Sequence, residues 1–138
     1  MTTAVFDYAA AARRLRQRET ARAVELATRL EQARQEATAV IAMIVDKYGP
    51  VRIWQWGSLV HGRGFSEVSD LDIAVEGVTE PARFFAMFGD AERLTALPLD
   101  LVQMEKIEPL HAESIRRKGR LVYDRSQPGH GAGTAGSY

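Results

Sequence analysis

The chain changes its pattern at Gly49-Pro50, and this boundary limits what it can fold into more than any other feature. From Ala9 to Tyr48 there is neither proline nor glycine, and most residues are good helix formers. Apolar residues recur there at alternating steps of four and three, which places them on one helical face: Leu26, Leu30, Ala33, Ala37, Val40 and Ile44. The pattern predicts a long N-terminal helix that ends at Gly49.

The apolar stripe weakens before Leu26, and Thr20 is a residue type that caps helix starts. We therefore expect a break near Arg18-Glu19-Thr20, with residues 1–20 forming a separate helix or a loosely attached arm. The front half of this helical segment is also a candidate surface for forming a homo- or hetero-oligomer.

Beyond Gly49-Pro50 the sequence has the pattern of short strands and short helices. Strands are predicted over 51–56, 70–75, 99–103 and 120–123, where residues are β-branched or alternate between polar and apolar. Helices are predicted over 80–96, with an interruption near Gly89, and over 109–118. The fold class is therefore α+β: a small mixed β-sheet with helices mainly on one face, preceded by a long N-terminal helical segment.

The 138 residues have room for one compact domain with short extensions. We expect an N-terminal helical arm over 1–36, a folded domain over 37–125 and a disordered tail over 126–138. The tail consists largely of Gly, Ala, Ser and Pro and has almost nothing to bury.

Charge and composition exclude several classes of function. Lys plus Arg and Asp plus Glu both number 18, so the net charge is zero, which argues against extensive nucleic-acid binding. The absence of cysteine excludes disulfides and thiolate zinc sites. No apolar run approaches the roughly 20 residues that a membrane span needs, and no secretory signal is visible. We therefore expect a soluble cytoplasmic protein with no membrane partner.

Three aspartates have the spacing of a metal-binding site for phosphoryl-type chemistry. Side chains at i and i+2 of a strand share a face, so Asp70 and Asp72 point the same way. Asp100 repeats the pattern between Leu99 and Leu101 in another predicted strand. Close carboxylates repel one another unless a cation neutralises them, and Mg²⁺ prefers carboxylate oxygen. Two such ions suit the transfer of a phosphoryl-type group.

Gly57-Ser58 follows the first predicted strand and precedes a short helical turn. Backbone amides at a helix start bind phosphate, glycine allows close approach, and the serine hydroxyl adds a donor. The sequence therefore predicts a phosphate-binding turn beside the aspartates.

The stretch Trp56-Gly57-Ser58, then an interval with Gly62 and Ser69, then Asp70-Leu71-Asp72-Ile73-Ala74-Val75, resembles the signature of the DNA polymerase beta nucleotidyltransferase superfamily. More narrowly, residues 37–124 are similar to the minimal nucleotidyltransferases. These are short single-domain prokaryotic proteins that are often paired with a HEPN-domain ribonuclease toxin. The similarity extends to Asp100 in its apolar strand and to the ending from Ile115 to Tyr123.

The resemblance implies a polymerase beta-like nucleotidyltransferase fold and ATP bound with two magnesium ions. It places Gly57 and Ser58 on the phosphates, Asp70 and Asp72 on both ions, and Asp100 on one ion and beside the attacking hydroxyl. It further implies transfer of AMP to a hydroxyl of a partner protein, with pyrophosphate released. The expected role is that of the antitoxin of a HEPN toxin.

The phosphate-binding turn departs from the family at one position. Members commonly carry an arginine three residues after the serine, where this chain has His61, with Arg63 nearby. We expect His61 and Arg63 to be candidate phosphate ligands beside Gly57 and Ser58, although a histidine in a turn more often makes a local hydrogen bond.

Two other functions stay open at the level of sequence. The chain can be a binding module that neutralises its partner by contact alone, through the N-terminal helix. It can also adenylylate a small molecule such as an aminoglycoside, although so short a chain has no second domain to build an acceptor pocket. Trp54 and Trp56 are expected to pack in the core or on the sheet, and Arg116-Arg117-Lys118 to complement a helix dipole.

Overall fold

The computed structural model describes residues 5–61, Ser66 and residues 69–127. In this part of the chain the elements follow in the order α1 (Tyr8–Tyr48), β1 (Arg52–Trp56), α2 (Ser58–His61), β2 (Leu71–Glu76), α3 (Pro81–Glu92), β3 (Leu99–Gln103), α4 (Pro109–Lys118) and β4 (Arg120–Asp124). Arg63 and most of the predicted tail, residues 128–138, lie outside the described residues.

α1 is one continuous helix, so the break predicted near Arg18-Glu19-Thr20 is wrong. Asp7 caps its N-terminus by accepting a hydrogen bond from the Ala10 amide at 2.9 Å, and the helix ends at Gly49, whose φ of +57° is left-handed. Threonines elsewhere in α1 donate their hydroxyls to the carbonyl four residues earlier, at 3.0 Å: Thr28 and Thr38. Because the surrounding residues favour helix strongly, one threonine does not interrupt it.

The C-terminal part of α1 carries its packing within the described structure. Residues 13–25 are all exposed, and Leu26 and Leu30 are partly buried. Buried positions begin at Ala33 and follow the predicted stripe, with Ile41 and Tyr48 added: Ala37, Val40, Ile41, Ile44 and Tyr48. The predicted apolar face is therefore the one that meets the core. None of the described helices combines the length and the apolar character required to span a bilayer.

The four described strands form one mixed sheet in the order β3-β2-β1-β4, which confirms the predicted sheet type. β1 runs antiparallel to both β2 and β4, whereas β2 and β3 are parallel. The C-terminal end of β1 and the N-terminal ends of β2 and β3 therefore lie at the same end of the sheet. This arrangement brings three distant parts of the sequence together.

α3 runs without interruption through Gly89, so the predicted break there is wrong, and it ends at Glu92 rather than at residue 96. A single glycine costs a helix about 1 kcal/mol, and the burial of Met87 and Ala91 on either side outweighs that cost. Asp90, in the same turn, ties α3 to α1 by accepting hydrogen bonds from Lys47 Nζ and the Tyr48 hydroxyl, each at 2.6 Å.

Alternation along the strands divides the sheet into two faces. One face packs against α1, α2 and α3 through a core that includes these strand residues: Ile53, Leu71, Ile73, Val75 and Leu101. The opposite face carries Trp54 and Ala74, which pack against Ala112 and Ile115 of α4. Three of the four described helices thus share one face, as predicted, and α4 covers part of the other.

Candidate active site

A row of side chains crosses the strands at the end of the sheet where β1 ends and β2 and β3 begin. Trp56 is paired with Asp72 across the antiparallel ladder, and Asp72 is paired with Asp100 across the parallel one. Directly paired residues lie on the same face of a sheet. Trp56, Asp72 and Asp100, called the acidic row below, therefore point to the α4 side of the sheet. Asp70 immediately precedes β2 and is exposed.

Asp72 has an electrostatic environment that favours its neutral form. Burial raises the pKa of the Asp72 carboxyl to about 6, and the negative charges of Asp100 and then Asp70 add to the effect. Asp72 is half-buried in the centre of the row, whereas Asp100 and Asp70 are exposed. The two neighbours are close enough to repel Asp72, and within the described residues none of the three carboxylates has a hydrogen-bond or ion-pair partner. A cation is the natural means of relieving this repulsion.

The three carboxylates do not converge on a single point. Among the described residues, no group of three His, Cys, Asp or Glu side chains is arranged to hold a metal ion. The donors are nonetheless hard carboxylate oxygens, which is the ligand chemistry that Mg²⁺ selects. The donor set fits magnesium if the exposed side chains of Asp70 and Asp100 turn towards Asp72, a rotation that exposed side chains make readily.

Gly57 brings the turn after β1 into direct contact with Asp72. Its φ of +87° is left-handed, and a Cβ built there would collide with the Oδ2 atom of Asp72 and lie 3.2 Å from its Cγ. Any side chain at this position would displace the carboxylate or the turn. The glycine of the predicted phosphate-binding turn therefore sets the distance between that turn and the acidic row.

Ser58 begins α2, and its hydroxyl is held by Ser69, a residue for which the sequence predicted no role. The Oγ atoms of Ser58 and Ser69 lie 3.1 Å apart, and Ser69 is buried. The Ser69 hydroxyl also accepts a hydrogen bond from the Ser66 amide at 2.8 Å, while the Ser69 amide donates to the Ser66 carbonyl. Ser69 thus connects the phosphate-binding turn to the start of β2. The sequence feature that could have identified Ser69 is its position directly before Asp70-Leu71-Asp72.

Of the two other predicted phosphate ligands, His61 lies within the described residues and Arg63 does not. His61 is the last residue of α2 and its side chain is exposed. Its amide donates to the Gly57 carbonyl at 3.4 Å, which closes the single turn of α2. Arg63 falls in the interval outside the described residues.

The two tryptophans of β1 have different environments. Trp54 is buried against α4, as expected, but Trp56 is only half-buried and lies in the acidic row. The imidazole of His111 contacts Trp56 with ring centroids 6.2 Å apart and planes at 89°. Strand alternation predicts that both indoles share a face, but the register that places Trp56 beside Asp72 is a long-range feature that sequence does not show.

The cationic residues of α4 lie in its last turn, near the same end of the sheet. Arg116, Arg117 and Lys118 are exposed in its last turn, where they complement the helix dipole. A Cβ at the following Gly119 would lie 3.1 Å from the Gln55 carbonyl, so this turn packs closely on β1.

The sequence matches no family model and no functionally curated protein. Among solved structures, the fold is similar to that of a protein provisionally named a minimal nucleotidyltransferase, with 26% sequence identity and a TM-score of 0.56. The match covers 66% of this chain and 93% of the other. A protein from Sulfolobus solfataricus, provisionally named a nucleotidyltransferase, matches with 14% identity and a TM-score of 0.49, over 74% of this chain and 89% of the other, which is too distant to support an argument. The first comparison supports a nucleotidyltransferase fold for this chain.

Proposed function

We propose that this chain is a magnesium-dependent nucleotidyltransferase that transfers AMP from ATP to a hydroxyl group of a partner protein. Its fold is similar to that of a protein provisionally named a minimal nucleotidyltransferase. The finer assignment, as the antitoxin of a HEPN ribonuclease toxin, rests on the resemblance carried by Trp56-Gly57-Ser58 and Asp70 to Val75.

One observation carries the proposal: the turn suited to phosphate lies against the central carboxylate of the acidic row. Gly57 leaves no room for a side chain between its backbone and Asp72. A triphosphate held by the turn would therefore have its reacting phosphorus next to the carboxylates. Either feature alone is common in proteins, but a nucleotidyl-transfer site requires the two in contact.

Each residue then has a distinct task. Gly57 and Ser58 would bind the outer phosphates, with Ser69 holding the Ser58 hydroxyl in place. Asp70 and Asp72 would hold two magnesium ions, and Asp100 would complete one of the two sites. Bound magnesium would supply positive charge that neutralises both the carboxylates and the triphosphate.

The reaction is a substitution at the α-phosphorus of ATP. The oxygen of the acceptor hydroxyl attacks this phosphorus, and the bond from it to the oxygen that bridges to the β-phosphate breaks. Pyrophosphate leaves with that bridging oxygen and the electron pair. The proton of the acceptor hydroxyl goes to Asp100, whose exposed carboxylate is accessible to a large acceptor.

The test is transfer of label from ATP labelled at the α-phosphate, in the presence of magnesium, to a purified HEPN-domain protein offered as the acceptor. The parent should label the partner, and Asp72→Asn should reduce labelling on the order of 100-fold or more. Asp46→Asn is the matched control, because Asp46 is an exposed carboxylate in the last turn of α1, which precedes the start of β1, whereas the acidic row lies where β1 ends. Label transfer that survives in an Asp70→Asn, Asp72→Asn double variant would refute the metal assignment.

A second candidate, neutralisation by contact alone, is favoured by the exposed N-terminal part of α1. Residues 13–25 are all exposed, and Leu15 and Val24 present large apolar side chains to solvent. Removal of residues 1–25 retains every buried position of α1, which begin at Ala33. If contact alone neutralises the partner, this truncation abolishes neutralisation while Asp72→Asn leaves it intact. The enzymatic proposal predicts that Asp72→Asn abolishes it.

A further inference from the structure

Trp56 is an aromatic residue that the core of the domain does not fully use. It is the last residue of β1, directly before Gly57-Ser58. Trp54, two residues earlier on the same face, is only 6% exposed, whereas Trp56 keeps part of its surface open. The cover that α4 gives to this face is therefore incomplete at Trp56.

His111 contacts Trp56 without contributing to the core. α4 is fixed to the sheet by Ala112 and Ile115, which are buried, while His111 is exposed. Its ring stands perpendicular to the indole, with the centroids 6.2 Å apart. Perpendicular aromatic pairs of this kind favour one orientation of the rings. His111 thus restrains the plane of the indole while part of the indole stays accessible to solvent.

The position of Trp56 in the acidic row defines what can reach it. Paired side chains on neighbouring antiparallel strands have Cβ atoms about 5 Å apart, and Trp56 is paired with Asp72. In a nucleotide, the base is joined through one ribose to the α-phosphate. A nucleotide whose α-phosphate is at Asp72 therefore has its base within reach of the neighbouring position in the row.

We infer that the open surface of Trp56 is the stacking surface for the base of the bound nucleoside triphosphate, and that His111 is a positioning residue that holds the indole. This inference rests on the proposed function. Stacking on an indole accepts any base, because every base has a π-face. The site should therefore contribute affinity for nucleosides in general and little selectivity among ATP, GTP, CTP and UTP.

The inference is tested by comparing ATP with inorganic tripolyphosphate, which has the phosphates but no base. Calorimetric titration of the full chain with magnesium and either probe gives the two dissociation constants. Trp56→Ala should weaken ATP binding roughly 5- to 100-fold, the range found for loss of one base–aromatic stack, and leave tripolyphosphate binding unchanged. Trp56→Phe keeps an aromatic ring and should retain most of the affinity for ATP.

Fluorescence gives a second, independent measurement. The chain has two tryptophans, so a Trp54→Phe variant reports on Trp56 alone. ATP should quench this emission, whereas tripolyphosphate should not. His111→Ala should weaken ATP binding and reduce the quenching of Trp56 emission by ATP. His111→Phe, which restores a ring against the indole, should recover both the affinity and the quenching.

The outcomes separate this inference from the proposed function. If Trp56→Ala binds ATP as well as the parent does, the stacking role is refuted and the nucleotide site stands. If it weakens ATP and tripolyphosphate equally, Trp56 supports the neighbouring turn and does not stack on a base. Quenching by a tyrosine-bearing acceptor peptide in place of ATP would assign the surface to the acceptor and refute the inference. If neither phosphate probe binds the parent, both the inference and the proposed function fail.

Discussion

The carboxylate of Asp72 lies directly against the backbone of Gly57, with no space for a side chain between them. Two residues that are 15 positions apart in sequence thus share one contact, which joins the turn after β1 to the centre of the acidic row. The glycine is needed here for two reasons: its backbone is left-handed, and the neighbouring carboxylate fills the place of a Cβ.

Gly57→Ala should therefore abolish nucleotide binding as well as reduce stability. A non-glycine residue in left-handed backbone costs about 1–3 kcal/mol, and here the methyl group also displaces Asp72. Gly49→Ala is a matched control, because Gly49 is also left-handed but has no atom within 4 Å of a Cβ. Urea unfolding should show a loss of stability in both variants, and magnesium-ATP binding should be lost in Gly57→Ala alone. Normal binding by Gly57→Ala would contradict the contact.

Asp72→Asn should stabilise the magnesium-free protein at neutral pH. The pKa of Asp72 is raised from 3.8 to about 6, so the folded state binds more protons than the unfolded state between these values. The free energy of unfolding should accordingly fall as the pH rises from about 4 to about 6, and above about pH 6 it should stay lower than at pH 4. Asn carries no charge, so the variant should lack this decrease and exceed the parent above pH 6.

Urea unfolding at a series of pH values in EDTA measures this effect. The parent and Asp72→Asn should converge below about pH 4, where Asp72 is protonated in both states. Asp46→Asn should follow the parent throughout. A variant that is less stable than the parent at pH 8 would show that Asp72 is not under the repulsion described above.

Asp90→Asn should have the opposite effect on stability. Hydrogen bonds from Lys47 and Tyr48 lower the pKa of the Asp90 carboxyl, so its contribution is present above its unfolded value and is lost as the pH falls through the folded one. The variant should unfold at lower urea concentration at pH 7, and the difference from the parent should shrink in acid. Nucleotide binding should be unchanged, since Asp90 joins α1 to α3 on the face away from the acidic row.

Ser69→Ala should weaken nucleotide binding through Ser58. The substitution removes the partner of the Ser58 hydroxyl and the acceptor of the Ser66 amide. Loss of the hydrogen bond that orients the Ser58 hydroxyl costs about 1 kcal/mol, so the affinity for magnesium-ATP should fall roughly 5-fold. The control is Ser126→Ala, which removes a serine hydroxyl bonded to Asp124 at the end of β4. Ser126→Ala should lower stability by about 1 kcal/mol and leave the affinity for ATP as it is in the parent. Equal affinities for ATP in Ser69→Ala and Ser126→Ala would exclude this role for Ser69.

Local chemistry in the sequence was sufficient to predict several elements. Gly49 terminates α1, the period of the apolar stripe identifies the buried face of that helix, and alternation places Asp72 opposite Leu71 and Ile73 on β2. These features depend on neighbours a few residues apart, so the sequence contains their causes. The α+β class follows from the order of the same elements.

Other features depend on contacts that sequence spacing does not reveal. The pairing of Trp56 with Asp72 and of Asp72 with Asp100 is set by the sheet register. The breaks predicted in α1 and α3 fail for a related reason, because helix-forming neighbours and packing outweigh one threonine or one glycine. The more complete covering of Trp54 than of Trp56 by α4 is likewise a tertiary effect.

β3, which carries Asp100, is the outermost strand on its side of the sheet formed by the described residues. Among the described strands none lies beyond β3, and the side chain of Asp100 is exposed there. Under the proposed function, an acceptor as large as a folded protein would approach along that margin and present a hydroxyl to Asp100 without entering a pocket. The choice of acceptor would then depend on the shape of the partner's surface. A partner that docks in the correct orientation would itself form the missing walls of the site.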